Sequence, residues 1–467
     1  MRRLVLAIAC ACSLAGCAPK SAAPAAEPAV SPPVRVLYLT HTAAFRHAVL
    51  EDSHDAMRAW GAAANLDVTV TEDCAVLTAE GLAAYDVVVF FTTGELPLDE
   101  SQRAALADSV AAGKGFVGIH SATDTFYEWP EYGRLIGGYF DDHPWHQEVT
   151  IAVEDRTHPA TRHLGESFVI TDEIYQVKDW ARSDVHVLLT VDLSSVDATS
   201  ERVHRDDGDF AVAWTRPYGR GRVFYTALGH EPAVWQDDRF RTHVVEGIRW
   251  AAGLAEADAS SNRLTDREQA DGWRLLFDGA SAESWRGFKQ DRLPDGWTVE
   301  DGALVRTGAG GDIVSRDQFE NFELRIDWQI GPGGNSGIFF GVGEEAEAVW
   351  HTAPEMQILD DAAHADGRTP ETSAGSNYAL QAPTRTAARP VGEWNAVRLV
   401  VRDSHVEHWL NGVRVVEYEL GTPEWQGLVA DSKFAPFPYG QVRRGHLALQ
   451  DHGDRVAFRN IKIRPLE

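Results

Sequence analysis

The hydrophobic pattern changes its period once along the chain, and this change most constrains the fold. Before residue 255, short apolar runs alternate with amphipathic stretches of helical length. After residue 269, apolar and polar residues alternate one by one, as in Phe322 to Ile330. The first pattern predicts a parallel sheet covered on both faces, and the second predicts antiparallel strands with one buried face. A chain of 467 residues is also long enough for two domains.

The first domain, residues 34–254, is predicted to be an α/β domain. Its predicted strands and helices are Val34 to Thr40, helix Glu51 to Ala64, Asp86 to Phe91, helix Asp99 to Ala112, and Phe116 to His120. Ligands of such sheets bind beyond the carboxyl ends of the strands. Three polar loops follow strands of this domain, namely Thr40 to His47, Thr92 to Glu95, and His120 to Tyr127.

The second domain, residues 269–467, is predicted to be an antiparallel β-sandwich, a jelly roll of the concanavalin type. Besides Phe322 to Ile330, its predicted strands are Val397 to Val401, Val406 to Leu410, Val413 to Val416, and Phe458 to Ile463. Asn411-Gly412 between two of them is a hairpin signal, because both residues tolerate positive φ. The polar stretch 255–268 is predicted to link the two domains.

The N-terminus has the layout of a secretory signal. Met1-Arg2-Arg3 precedes an apolar run from Leu4 to Ala15 that is too short to span a bilayer. Leu14-Ala15-Gly16-Cys17 resembles the lipobox of bacterial lipoproteins, which implies a lipid on Cys17; an ordinary cleaved signal is the alternative. Residues 18–33, rich in Ala and Pro, are predicted to be a flexible tether. We expect a lipid-anchored protein of the cell envelope that faces the periplasm or the outer membrane.

Charge, cysteine content and a missing motif argue against several partners, disulfides and one cofactor. The formal charge of -27 argues against binding to nucleic acid or anionic lipid, so we expect membrane contact only through the lipid. Of the four cysteines, only Cys74 would remain in the mature globular part, which leaves no internal disulfide. The first strand lacks a Gly-x-Gly-x-x-Gly turn after it, so we expect no NAD.

Motifs spread over the first domain resemble the trehalose-utilisation (ThuA-like) family. They are Gly118-Ile119-His120-Ser121-Ala122, Gly137 to Pro144, His158-Pro159-Ala160-Thr161, Thr171 to Tyr175, and Ala227 to Glu231. The resemblance implies a flavodoxin-like sheet similar to class I glutamine amidotransferases, without their catalytic thiol. The strand-to-helix turn carries His120 in place of a cysteine.

Histidines and carboxylates in these motifs form the first candidate site. The set comprises His120, His143, His146, Asp172, Glu173 and His230. Such residues can ligate a divalent metal or transfer protons next to a carbonyl, and the alternative is that they cap loops or pair with one another. We select His120 as catalytic, His143 and His230 as metal ligands, and Asp172, Glu173 and Tyr175 as substrate-binding.

Motifs of the second domain resemble the 3-keto-disaccharide hydrolase family. They are Gly333 to Phe339, Pro354 to Asp360, Val391 to Asn395, Val406 to Gly412, Leu449 to Gly453, and Phe458 to Ile463. The resemblance implies cleavage of 3-keto-glycosides by removal of the C2 proton, β-elimination of the group on C1, and addition of water. Such a route needs a base, an enolate-stabilising group and an acid.

A polar pair marks the second candidate site. On the strand around residue 357, Glu355, Gln357 and Leu359 point to one face, while Met356, Ile358 and Asp360 point to the other. We select Glu355 as base or metal ligand and His452 as acid or base. The residues selected to orient or bind the sugar are Asn335, Gln357, Tyr378 and Asp360. The alternative is a structural role in turns and loops.

Taken together, the two resemblances predict an exported enzyme of carbohydrate catabolism that cleaves 3-keto-disaccharides. Its substrate would be a small sugar already oxidised at C3 by a separate oxidoreductase. Two alternatives remain at this point: a non-catalytic carbohydrate-binding sandwich attached to the ThuA-like domain, and an ordinary glycoside hydrolase with two carboxylates.

Overall fold

A nine-stranded mixed sheet forms the first domain of the computed structural model, which describes residues 32–255 and 262–466. Its strands are β1 Val34–Leu39, β2 Leu66–Thr71, β3 Val87–Phe90, β4 Gly115–Ile119, β5 Tyr139–Val153, β6 Ser167–Lys178, β7 His186–Val191, β8 Ala211–Tyr218 and β9 Gly221–Thr226. Its helices are α1 Leu50–Ala64, α2 Ala79–Leu82, α3 Glu100–Ala111, α4 Pro130–Ile136, α5 Pro232–Trp235 and α6 Asp238–Ala251. The predicted signal, Cys17 and the tether up to residue 31 lie outside the described residues.

The strand order is β2-β1-β3-β4-β9-β8-β7-β5-β6. Strands from β2 to β9 pair in parallel, which confirms the predicted α/β fold. Strands from β9 to β6 pair antiparallel, so the sheet is mixed. Antiparallel neighbours need only short turns, and the sequence between β5 and β9 accordingly lacks a crossover helix.

Helices cover the parallel half of this sheet in two groups. Contacts join α1 with α5 and α6, and they join α3 with α2 and α4. α1 ends where Asn65 adopts a left-handed conformation and its backbone N–H bonds to Gly61 O. α3 begins at a capping box in which Asp99 and Gln102 satisfy each other's backbone N–H groups. No helix of the described ranges is long and apolar enough to cross a membrane.

A short helix, α7 Asp266–Ala270, precedes the second domain and occupies part of the predicted linker. Thr265 and Glu268 form its capping box. Glu268 also accepts a hydrogen bond of 2.6 Å from the buried ammonium of Lys462 in the sandwich. The described part of the linker is therefore packed against the second domain.

Two antiparallel sheets form the second domain, which confirms the predicted β-sandwich. Its strands are β10 Arg274–Leu275, β11 Trp285–Gly287, β12 Trp297–Glu300, β13 Ala303–Arg306, β14 Ile313–Phe319, β15 Phe322–Ile330, β16 Asn335–Val342, β17 Glu355–Leu359, β18 Asn395–Arg402, β19 His405–Leu410, β20 Val413–Glu419, β21 Gly445–Leu449 and β22 Val456–Pro465, with one helix, α8 Pro423–Ala430.

The larger sheet has the order β12-β13-β22-β15-β18-β19-β20, with β10 beside β22, and the smaller has the order β11-β14-β21-β16-β17. Leu324 and Ile326 of the larger sheet share one core with Met356 and Ile358 of the smaller sheet. The hairpin at Asn411-Gly412 has positive φ at both residues, as its sequence predicts. The face of the smaller sheet that points away from this core carries the second candidate site.

Candidate active sites

The first candidate site lies where parallel strands of the first domain end. His47 follows β1, His120 follows β4 and His230 follows β9. Glu173, from the middle of β6, joins them, and potential ligand atoms of all four residues lie within 4.8 Å of one another. We name these four residues the His3Glu cluster. It brings together four separate segments of the chain.

Backbone geometry aims the imidazole of His120 into the cluster. His120 has a φ of 46°, which is the left-handed region that non-glycine residues rarely occupy. Its Nδ1 lies 2.7 Å from Ala227 O, and its Nε2 lies 3.1 Å from His230 Nδ1. The side chain is fully buried. A residue held this way at a strand-to-helix turn is typical of a functional position.

Glu173 lies between an inner and an outer layer of histidines. Its Oε1 is 3.3 Å from His230 Nδ1 and 3.8 Å from His120 Nε2. Its Oε2 is 3.6 Å from His143 Nδ1 and 3.9 Å from His146 Nδ1. The outer His146 also bonds to Glu231 through Nε2 at 2.7 Å.

Burial and neighbouring charge shift the pKa values of the imidazoles in opposite directions. Burial lowers the pKa of His120 far below its ordinary value and lowers that of His47 to about 4. Burial would also lower the pKa of His230, but its contact with Glu173 outweighs burial and raises it. Burial therefore favours the neutral form of His47 and His120, whereas contact with Glu173 favours the charged form of His230.

Three sequence-selected residues lie beside the His3Glu cluster and are not members of it. Asp172 is fully buried and accepts backbone N–H bonds from Gly229, His230 and Glu231 at 2.7 to 3.0 Å, so it fixes the loop that carries His230 and cannot contact substrate. Tyr175 is buried with its ring 4.3 Å from that of His120, so it supports that imidazole. His143 lies beside Arg202 and outside the His3Glu cluster.

The second candidate site centres on Glu355 of the sandwich. Glu355 on β17 pairs with Phe339 on β16, and Gln357 pairs with Gly337, so these side chains share the face opposite the core. The Glu355 carboxylate lies over Gly337, where a Cβ would come within 2.1 Å of Oε1. Glycine at this position therefore makes room for the acid. The predicted orientation of Glu355 and Gln357 away from Met356 is confirmed.

The carboxyl of Glu355 is buried and its pKa is raised. Its side chain is 5% exposed, and within the described ranges no group hydrogen-bonds its carboxylate. Burial raises the pKa of Glu355 to about 8; Lys433 opposes this shift, and the charges of Asp312 and Asp366 add to it. A carboxyl with a pKa near neutrality can act both as a general base and as a general acid.

Lys433 and Tyr378 flank the acid. The Lys433 ammonium lies 4.3 Å from the centre of the Tyr378 ring. The Tyr378 hydroxyl donates to Asp366 Oδ2 at 3.1 Å, and its backbone N–H donates to Glu355 O at 3.0 Å. The centre of the Trp350 ring also lies 5.4 Å from the same ammonium. The acid is thus bordered by a cation and by aromatic rings of the kind that pack on sugars.

Some of the remaining sequence-selected residues lie on the face of the smaller sheet that carries Glu355, and others lie in adjoining loops. Asn335 lies on the same face of β16. The side chain of Gln357 bonds to the backbone of Ile358 and Thr372. Asp360 is buried and accepts backbone N–H groups of Gly333, Ala362 and Ala363, so it shapes its turn and is not free to bind a sugar.

His452 is exposed at the end of the smaller sheet. Its neighbour Asp451 is held by Arg306 Nε at 2.6 Å and by the backbone N–H groups of Gly310 and Gly311. The His452 ring lies 6.1 Å from that of His364, which precedes the turn carrying Asp366. The described residues show no contact between His452 and Glu355.

Sequence reasoning missed His47 and Lys433. His47 ends a loop that we had marked as polar, but its spacing gave no metal signal. Lys433 stands out only because lysine is rare here, with six lysines among 43 basic residues. Both residues reach their sites through tertiary packing.

Two family models match the chain in succession. Residues 35–251 match the model described as "Trehalose utilisation", and residues 272–464 match that of a 3-keto-alpha-glucoside-1,2-lyase-like domain. A 3-keto-disaccharide hydrolase of Bacteroides thetaiotaomicron is 34% identical over 253 residues, which is 47% of this chain and 87% of the relative.

Solved structures also match each half. A candidate glycosyl hydrolase of Parabacteroides distasonis is 36% identical, with 44% of this chain and 99% of the other covered and a TM-score of 0.42. A candidate ThuA-like protein of Bacteroides uniformis is 26% identical, with 49% and 95% covered and a TM-score of 0.43.

The two matched models define a carbohydrate-acting protein of the hydrolase and lyase class, with a ThuA-like domain followed by a β-sandwich. The chain belongs to the 3-keto-disaccharide hydrolase family. Both resemblances predicted from the motifs are thereby confirmed.

Proposed function

We propose that the sandwich domain cleaves 3-keto-glycosides, with Glu355 as the base. The observation that carries this proposal is a buried carboxyl without a hydrogen-bond partner in the described ranges and with its pKa raised to about 8. A carbonyl at C3 acidifies the proton on C2, and a base of this pKa is suited to remove it at neutral pH.

Lys433 beside Glu355, together with His452 at the end of the same sheet, supplies the rest of an elimination. The C2 proton moves to Glu355, and negative charge develops on the C3 oxygen, where the Lys433 ammonium stabilises it. The bond between C1 and the leaving oxygen then breaks, and that oxygen takes a proton from His452. The products are an alcohol and a 1,2-unsaturated 3-keto-sugar. Water added across the double bond completes net hydrolysis.

Aromatic side chains beside Lys433 provide a surface for the leaving group. The rings of His351 and Phe437 stack at 3.9 Å, and Trp350 meets Phe437 edge-on at 5.1 Å. These three residues are half-buried. A ring surface next to a charged group favours a pyranose or an aromatic aglycone.

The test is incubation of the purified full chain with 3-keto-trehalose and with a 3-keto-glucoside, followed by mass spectrometry. We expect release of the alcohol and a transient product lighter than the keto-sugar by one water. Glu355→Gln should lower kcat/KM by at least about 1000-fold, since it removes the base. His452→Ala should lower kcat/KM for a sugar leaving group, and should lower it less for a leaving group that needs no proton, such as nitrophenolate.

Glu347→Gln is the matched control, because this exposed glutamate lies in the connection between β16 and β17. It should retain full activity. Undiminished turnover by both Glu355→Gln and His452→Ala would refute the proposal. Binding of unmodified glycans without any turnover would instead favour a carbohydrate-binding module.

We also propose that the protein works outside the cytoplasm, anchored through Cys17, and receives its substrate from a separate oxidoreductase. The residues before Cys17 and the absence of a dinucleotide motif after β1 support this setting. Metabolic labelling with a fatty-acid analogue should mark the protein, and Cys17→Ser should abolish both the label and membrane retention. A protein that remains unlabelled and stays in the cytoplasm would contradict the proposal.

A further inference from the structure

The His3Glu cluster lies in the first domain and has no role in the reaction proposed for the sandwich. Three imidazoles and one carboxylate converge from four segments, and three of these side chains are buried. We propose that His47, His120, Glu173 and His230 bind one divalent transition-metal ion. This inference is independent of the function proposed for the sandwich.

Distances within the cluster fit an ion at its centre. For metal–ligand distances of about 2.0 to 2.1 Å, two ligand atoms of a tetrahedral site lie about 3.3 Å apart. The separations are 3.1 Å for His120 Nε2 to His230 Nδ1, 3.3 Å for His230 Nδ1 to Glu173 Oε1, and 3.8 Å for His120 Nε2 to Glu173 Oε1. The ligand atom of His47 lies within 4.8 Å of those of the other three residues.

Second-layer contacts orient these ligands as in known metal sites. His120 Nδ1 lies within hydrogen-bond distance of a backbone carbonyl, so the proton sits there and the Nε2 lone pair faces the cluster. Asp172 fixes the backbone of His230. His47 is 5% exposed, and its imidazole has no hydrogen-bond partner among residues 32–255 and 262–466. A buried imidazole without a partner is costly, and an ion would satisfy it.

The ligand types select the class of ion. Imidazole nitrogen suits zinc, iron, nickel and copper, whereas calcium and magnesium prefer all-oxygen sites. One carboxylate leaves a divalent site with net positive charge, which favours a bound water or an anionic oxygen. The site therefore takes a divalent transition-metal ion in preference to calcium or magnesium.

A proton acceptor lies beside the cluster. His146 and Glu231 form a second group with His230, and their potential ligand atoms also lie within 4.8 Å of one another. His146 and Glu231 are bonded at 2.7 Å and are more exposed than the inner ligands. His146 and Glu231 therefore border the proposed ion on the more exposed side of the cluster, where they can accept a proton from a group that binds there.

The test is metal content. The purified full chain is stripped with a chelator, loaded with Zn²⁺ or Co²⁺, and analysed by atomic emission and visible absorption. We expect about one ion per chain and a Co²⁺ spectrum of low coordination number. His47→Ala, Glu173→Gln and His230→Ala should each weaken affinity at least tenfold.

Two controls keep the result interpretable. His163→Ala changes an exposed histidine of the same domain and should bind as the parent does. His405→Ala removes the other candidate group, His405 with Glu407 and Glu417 in the sandwich, and should also retain the ion. In chelator every variant should melt near the parent, while Zn²⁺ should raise the melting temperature only where the cluster is intact.

Two results would overturn the proposal. One is failure of the parent chain to retain any Zn²⁺ or Co²⁺. The other is unchanged binding in His47→Ala and His230→Ala, with loss of the ion in His405→Ala.

Discussion

Glu355→Gln should abolish cleavage and yet make the folded protein more stable, and the gain should grow with pH. The substitution keeps the shape of the side chain and removes its charge. Burial raises the pKa of Glu355 from its ordinary 4.5 to about 8. The folded state therefore holds a proton that the unfolded chain releases, and retaining the glutamate costs stability above pH 4.5.

The size of the effect follows from proton linkage. Between the unfolded and folded pKa values, the stability of the parent falls by about 1.4 kcal/mol per pH unit, because the folded state binds one more proton. From pH 5 to pH 8 this amounts to about 3 to 4 kcal/mol. Gln does not titrate, so the difference between variant and parent should increase by that amount and level off above the folded pKa.

Urea unfolding at pH 5, 6, 7 and 8 measures this difference, with tryptophan fluorescence as the signal. Glu344→Gln is the control that should show no pH dependence in this range: hydrogen bonds from Arg286 lower the pKa of Glu344 to about 2, so its protonation changes only below about pH 5 in either state. That carboxylate stabilises the fold above its unfolded pKa, and its contribution is lost as pH falls toward 2. A difference between Glu355→Gln and parent that stays constant from pH 5 to pH 8 would refute the raised pKa and with it the role of Glu355 as base.

Three further predictions concern residues whose packing or pairing the structure defines. Gly337→Ala should displace the Glu355 carboxylate, because the new Cβ would lie 2.1 Å from it, and should lower kcat/KM at least tenfold in a folded protein; unchanged kinetics would contradict this packing. Asp172→Asn should lower stability by about 2 kcal/mol in urea, since an amide nitrogen would face backbone N–H donors. Lys462→Met leaves Glu268 buried without its main cation and should cost about 3 kcal/mol by thermal unfolding. Adding Glu268→Gln to Lys462→Met should restore part of the lost stability. An unchanged melting temperature of Lys462→Met alone would contradict a stabilising ion pair between Lys462 and Glu268.

The activity of Glu355 should also follow pH in a defined direction. A base must be deprotonated to act, so kcat/KM should rise with pH and reach a plateau above about 8. Rate measurements between pH 6 and pH 9 with a 3-keto-glucoside test this. A profile that is flat over this range would indicate a different base.

The local pattern of apolar and polar residues was sufficient to predict most of the strands and helices named in the sequence analysis. The strand Phe322–Ile330 and the helix Leu50–Ala64 follow directly from residue periodicity, which acts within a few residues of the chain. The mixed pairing from β9 to β6 and the helix Asp266–Ala270 did not follow. Pairing direction depends on which strands become neighbours, and this short helix is stabilised by its capping box and its contact with Lys462.

By itself, the sequence determined the two families and the two classes of domain, and it selected Glu355, His120 and His230 as candidate site residues. Only the tertiary structure added His47 to the His3Glu cluster and Lys433 to the surroundings of Glu355. It also showed that Asp172 and Asp360 are occupied by backbone N–H groups. The physical reason is that the type of a polar residue limits the chemistry it can perform. Burial and neighbours from distant segments decide whether its charged group is free or paired and how far its pKa is shifted.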